Sequence, residues 1–284
     1  MSIIDFHVHA GDFYQLRDDI QGLLKARPME PQQDVRAIFS SRTELERYLG
    51  EQGVVRAIVL AECGPGTNFS ITSDMIARLV GDSDMLIPFG SINPNYHTNP
   101  VDEWQRSVAM GVRGFKFYPA DHAFDPHTPA MMQVYRLCAE AGLPVVFHTG
   151  TTAQRDALEQ YIHPHEFLPI LEANPDLVCI LAHAGKPDWC AEALAMTERF
   201  ANCYVDTALV GLNRLIELGL ETRAARHKVL FGSDWPVCGG YTQLMARVQQ
   251  SAMSPSLRQA IMHDNAAALL ARLPERSVAL ATNA

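Results

Sequence analysis

Eight short runs rich in apolar and β-branched residues recur along the chain, and their spacing limits the fold more than any other feature. They are IIDFHVH (3–9), VRAIVLA (55–61), MLIPFGSI (85–92), VRGFKFY (112–118), PVVFH (144–148), LVCILAH (177–183), CYVDTA (203–208) and KVLFGSD (228–234). Most are continuous rather than alternating, the pattern of a parallel strand covered on both faces. Between them lie segments of helical spacing such as TELERYLGEQG, SDMIARLVG, TPAMMQVYRLCAEAG and PDWCAEALAMTERF, the first with Thr43 as its expected cap. From the second run onward the starts fall 25 to 33 residues apart, the length of a βα unit with short loops. Eight such units predict an α/β fold, a single-domain (β/α)8 TIM barrel; a doubly wound open sheet, the other arrangement of alternating strands and helices, normally uses fewer strands.

Two stretches interrupt the alternation. Residues 10–42 form an insertion after the first strand, expected on the face where strand C-termini emerge, and 255–271 (PSLRQAIMHDNAAALLA) add a helix after the eighth unit. Residues 272–284 read as a flexible tail. A chain of 284 residues suits one barrel.

Charge and cysteine usage narrow the function classes. With 23 basic and 32 acidic residues the net charge is −9, which disfavours nucleic acid or an anionic membrane as partner. Six cysteines without a C-x-x-C pair read as buried free thiols in a reducing cytoplasm. The opening MSIIDFHVHA is too polar for a signal peptide, and no uncharged apolar run of membrane-spanning length occurs. The expected partner is a small-molecule substrate, with a homodimer left open.

The residues that carry chemistry sit where strands end. His7 and His9 are two apart on the first strand and share a face. His148 ends the fifth run, His183 the sixth and Asp234 the eighth. In a barrel these ends converge on one mouth, and imidazoles facing a carboxylate suit a divalent transition metal, Zn²⁺ first, with Mn²⁺ or Fe²⁺ as alternatives. His163 and His165 have the same H-x-H spacing, but Pro164 between them marks a helix entrance at the surface. Lys116 shares the inward face of the fourth strand with Gly114 and Tyr118, and a buried amine calls for an anion. Glu62, Cys63, Arg155, Lys186 and Trp235 lie in loops on the same face; Arg155, Lys186 and Trp235 are candidates for holding substrate. A nucleophilic role for Cys63 is disfavoured.

The ordered motifs DFHVH (5–9), GFKFYP (114–119), VVFHTG (145–150), LAHAG (181–185), FGSDWP (231–236) and IMHDNAAALL (261–270) resemble the amidohydrolase superfamily of metal-dependent barrels. The resemblance is to its amidohydrolase-related branch, which includes proteins similar to aminocarboxymuconate-semialdehyde decarboxylase. It implies that His7, His9, His148 and Asp234 ligate metal. By the same resemblance His183 is either catalytic beside one ion or a ligand of a second, and Lys116 either meets an anion or is carboxylated to bridge two ions. Hydrolysis of an ester, lactone or amide is the leading expectation, with Asp234 taking a proton from water and His183 orienting it or stabilising the oxyanion. Decarboxylation of an unsaturated or aromatic acid uses the same residues, and a non-catalytic binding protein is the reading from another class.

Overall fold

The computed structural model describes residues 2–64, 69–154 and 156–274. Eight strands form its centre: β1 (Ile3–His9), β2 (Val54–Leu60), β3 (Leu86–Ser91), β4 (Phe115–Phe117), β5 (Val145–His148), β6 (Cys179–Ala182), β7 (Cys203–Asp206) and β8 (Val229–Leu230). Each pairs in parallel with the next, in sequence order. Between β8 and β1 the ring closes through Phe6 N to Phe231 O at 2.8 Å, Asp234 N to His7 O at 2.9 Å and His9 N to Trp235 O at 2.8 Å. This is the (β/α)8 TIM barrel that the strand spacing implies.

Side chains sort by parity. Phe115, Phe117, Phe147, Cys179 and Val205 face the surrounding helices, while Val146, Ile180 and Tyr204 join Ile4, Phe6 and Phe89 inside the ring. On β1 the register slips: Asp5 pairs with Ala57 and Val8 with Val59, three steps against two. That bulge carries one extra residue. Ile4 and Phe6 therefore fill the interior below it, while Val8 turns outward and His7 and His9 reach the interior above.

The C-terminal segment closes the opposite end of the ring. Pro255–Gln259, a π turn at Ala260–Asp264 and Asn265–Leu270 run as one helix, whose Ala266 and Leu269 complete the inner apolar cluster. Its Asn265 side chain donates to the carbonyls of Arg226 at 2.9 Å and Val229 at 2.8 Å, fixing the approach to β8. The floor is thus mainly apolar, with the Tyr204 hydroxyl accepting from Arg272 at 3.1 Å, and the buried ionisable cluster lies at the other mouth.

Several boundaries differ from the sequence expectation. The helix of the TELERYLGEQG segment spans Arg42–Glu51 and is capped by Ser41, whose hydroxyl accepts from Glu44 N at 3.4 Å, rather than by Thr43. β6 ends at Ala182 and β8 at Leu230, short of His183 and Asp234. Both of those residues take left-handed backbone at φ +62°, which bends the chain across the mouth and costs conformational energy that surrounding bonds must offset. The inserted stretch contains the helices Asp18–Ala26 and Val35–Ser40. Of the tail, residues 275–284 lie outside the described residues. No helix among the described residues is long and apolar enough to cross a membrane.

Candidate metal centre

The top layer of the barrel interior is polar and almost fully buried: His7, Lys116, His148, His183, Asp206 and Asp234 are each at most 9% exposed. His9 Nε2 lies 3.1 Å from Asp234 Oδ1, and His7 Nε2 lies 3.4 Å from the same oxygen. Ligand atoms of His7, His9 and Asp234 all fall within 4.8 Å of one another, a spacing one cation can bridge.

A hydrogen-bond network fixes the rings of His7, His148 and His183 from behind, whereas His9 Nδ1 has no partner among the described residues. His7 Nδ1 lies 2.8 Å from Asp206 Oδ2, so Nδ1–H donates to the ionised carboxylate and the lone pair is left on Nε2. Asp206 Oδ1 meanwhile accepts from His183 N at 2.8 Å and Ala208 N at 3.0 Å. His183 Nδ1 donates to Ala208 O at 3.0 Å, which makes its Nε2 an acceptor; His148 Nδ1, 3.2 Å away, supplies the proton. The lone pair of His148 is then on Nε2, an atom that is buried and has no partner among the described residues. These tautomers are assigned from the network. Close approach is part of the design at Gly232, where a Cβ would stand 2.9 Å from His7 Cβ and 3.3 Å from Asp206 Cγ.

Electrostatics puts the groups in metal-binding form. Burial holds His9, His148 and His183 below the usual imidazole range, keeping them neutral. Burial pushes the Asp234 carboxyl up, but the imidazoles of His7 and His9 outweigh it and hold the group below the ordinary carboxylate range. Asp206 is likewise held down, mainly by His7 against the cost of burial. Neutral imidazoles and ionised carboxylates are the states a cation needs.

Lys116 is fully buried, with Nζ 3.4 Å from His7 Nε2 and 4.8 Å above the Tyr118 ring centroid. Burial lowers its amine to about 8 against the pull of Asp206, Asp234, Glu62 and Asp121. Glu62 is buried on a two-stranded ribbon, Glu62–Cys63 with Ser70–Ile71, and burial followed by the nearby Asp121 charge raises its carboxyl to about 8. The Cys63 thiol is pushed up to about 12, chiefly by burial, which removes thiolate character. Lys186 is half-buried, with Nζ 3.4 Å from Thr151 O.

Not every candidate reaches the cluster. Trp235 is fully buried in the outer core against Tyr48, at 5.5 Å between ring centroids, so its ring does not face the mouth. Arg155 lies outside the described residues. His165 pairs with Glu192 at 3.1 Å and with Glu166 at 3.1 Å on the surface, while His163 packs on Trp189. Asp206 escapes sequence reasoning, although an acid at the inward position closing the apolar run CYVD carries the signal. Asp121 and His122 were equally silent; they are 6% and 4% exposed in the loop after β4.

A closed ring of eight strands with such a centre at its C-terminal mouth defines a metal-dependent barrel enzyme. The amidohydrolase family model matches residues 4–272, and the chain belongs to that family, whose members are metal-dependent hydrolases and decarboxylases. No curated protein sequence matches it. Among solved structures it is similar to an uncharacterized TIM-barrel protein from Bordetella bronchiseptica, with 21% identity, TM-score 0.80, and 96% of this chain and 99% of the other covered. A 2,6-dihydroxybenzoate decarboxylase from Rhizobium aligns at 16% identity and TM-score 0.67 over 95% and 99% of the two chains. A probable 2-pyrone-4,6-dicarboxylic acid hydrolase from Acinetobacter baumannii, solved with citric acid, aligns at 14% and 0.65 over 95% and 100%. At these identities the likeness is one of fold.

Proposed function

We propose that the protein is a zinc-dependent hydrolase that cleaves an ester, lactone or amide bond in a small carboxylate-bearing substrate. The carrying observation is the pair of proton chains that end on Asp206 and on Ala208 O, because they leave His7 Nε2 and the unpartnered His148 Nε2 as lone pairs beside His9 and Asp234. Three imidazoles and a carboxylate suit Zn²⁺, with Mn²⁺ or Fe²⁺ as alternative occupants. One ion is the reading we favour: a second triple, His7, His183 and Asp206, shares His7, and both Asp206 oxygens already accept protein N–H groups.

When bound, the ion supplies Lewis acidity, polarising substrate oxygen and lowering the pKa of water. Asp234, ionised and at the rim of the cluster, accepts the proton of the attacking water and returns it to the leaving group. His183 holds His148 in the tautomer that keeps a lone pair on Nε2, its own Nε2 accepting from His148 Nδ1 at 3.2 Å while its backbone N–H is pinned to Asp206. Lys116, buried on the inward face of β4, and Lys186, half-buried in the loop after β6, hold the substrate carboxylate. The insertion contributes a roof: Phe39 stacks on Phe69 at 6.3 Å, and Phe69 on His9 at 4.7 Å.

A second reading, non-oxidative decarboxylation, draws on Glu62. Its carboxyl, raised to about 8, is protonated at neutral pH and can deliver a proton to carbon. Zinc-loaded protein is to be screened against lactones, esters, amides and carboxylated aromatics, with acid release and carbon dioxide recorded separately. The hydrolase reading expects acid release without carbon dioxide, reduced by orders of magnitude in Asp234→Asn. Carbon dioxide evolution, or near-normal turnover in that variant, refutes it.

A further inference from the structure

Behind β7 and β8, on the helix side of the barrel, lies a cavity of about 440 Å³. It opens to solvent beside the exposed Leu209, Asn213 and Arg247, and its volume is in the range of small-molecule pockets. None of His7, His9, Lys116, His148, His183, Asp206 or Asp234 lines it; Gly232 and Ser233 form the partition between it and His7.

One wall is the helix Tyr241–Gln250 with the residue that follows it, which turns Leu244, Arg247, Val248 and Ser251 toward the space. Those positions are i, i+3, i+4 and i+7, the stripe that normally packs on a barrel. Here the stripe includes an arginine. Opposite it stand Leu209, Val210 and Phe231. Leu209 is 43% exposed and held at φ +54°, an apolar side chain kept at the mouth on left-handed backbone.

The polar inventory of the cavity is one-sided. The Thr207 and Ser233 hydroxyls and the Ser251 hydroxyl are engaged with Gly232, His7 O and Val248 O. Asn213, part of the lining, uses its oxygen for Ala252 N at 3.0 Å, which leaves its NH₂ as a donor. Among the described residues no carboxylate lines the space and Arg247 makes no ion pair. Two donors at the edge of an apolar chamber call for an acceptor-headed ligand with an apolar body.

We propose that this cavity is a second binding site, separate from the metal centre, for a small amphipathic monocarboxylate whose head pairs with Arg247 and Asn213 and whose body lies among Leu209, Phe231, Leu244 and Val248. Calorimetric titration of the full-length protein with sodium octanoate tests it, with inorganic phosphate as the headgroup-only control. The site predicts saturable octanoate binding, about tenfold or more weaker in Arg247→Gln through loss of a charge-assisted bond, and abolished in Val248→Trp, which fills the chamber. Arg247→Gln alters a solvent-side group and keeps the test usable should Val248→Trp fail to fold. Absence of octanoate binding, phosphate binding as tight as octanoate, or an unchanged octanoate affinity in either folded variant overturns the proposal.

Discussion

Asp206→Asn isolates the device on which the metal centre depends. The carboxylate divides its work: Oδ1 takes the backbone N–H groups of His183 and Ala208 at 2.8 and 3.0 Å, and Oδ2 takes His7 Nδ1 at 2.8 Å. An asparagine can keep its oxygen only at one of those places. With oxygen at the Oδ1 position its NH₂ faces His7 Nδ1, the proton moves to Nε2, and the lone pair aimed at the cation is lost. With the amide flipped, two buried N–H groups lose their acceptor, at about 1–3 kcal/mol each. The first arrangement is cheaper, so the variant should fold and bind zinc about 10- to 100-fold more weakly, the usual effect of losing such a support. That range corresponds to about 1.4–2.8 kcal/mol. Competition against a chromophoric chelator gives the affinity, and circular dichroism melting confirms the fold. A folded Asp206→Asn protein with wild-type zinc affinity refutes the tautomer argument.

Other consequences follow from packing and charge. The Glu62 carboxyl stands at about 8 against 4.5 for the free side chain, so the folded state binds the extra proton between those values and stability falls as pH rises through that window. Glu62→Gln should flatten that slope, worth at most about 1.4 kcal/mol per pH unit, and chemical denaturation at pH 5 and pH 8 measures it; a slope as steep as the wild type's counts against the assignment. Leu269→Ala opens a cavity in the barrel floor, where the side chain is 1% exposed, and should cost about 2–5 kcal/mol with zinc affinity unchanged, read by urea titration and chelator competition. Gly150→Ala places a Cβ 2.2 Å from Lys186 O at φ +79°, so thermal melting should show a loss of roughly 1–3 kcal/mol from the backbone alone.

The sequence discloses the barrel because each βα unit has to bury its own strand, and eight continuous apolar runs have few other ways to do so. Strand ends were less legible. His183 and Asp234 leave strand conformation with positive φ because their side chains must lean over the mouth, and neither residue type announces that backbone. Thr43 read as a cap because Glu46 follows three residues later, yet Ser41 sits where the chain enters the helix. The H-x-H pair showed two imidazoles on one face; the bulge between Asp5 and Val8 that brings that face inward depends on pairing with β2 and leaves no local trace. Trp235 was a candidate through its neighbour Asp234, but parity turns it to the outer core. Asp206 was hidden for the reverse reason: its partners His7 and His183 are 199 and 23 residues away, so its role exists only once the ring closes.

His7, His9 and Asp234 are proposed to share one cation. An anomalous difference map from crystals grown with zinc tests it directly. A single strong peak is expected within about 2.0–2.2 Å of His7 Nε2, His9 Nε2 and an Asp234 oxygen. A map with no peak touching those three atoms, in crystals whose protein is otherwise ordered at the barrel mouth, contradicts it.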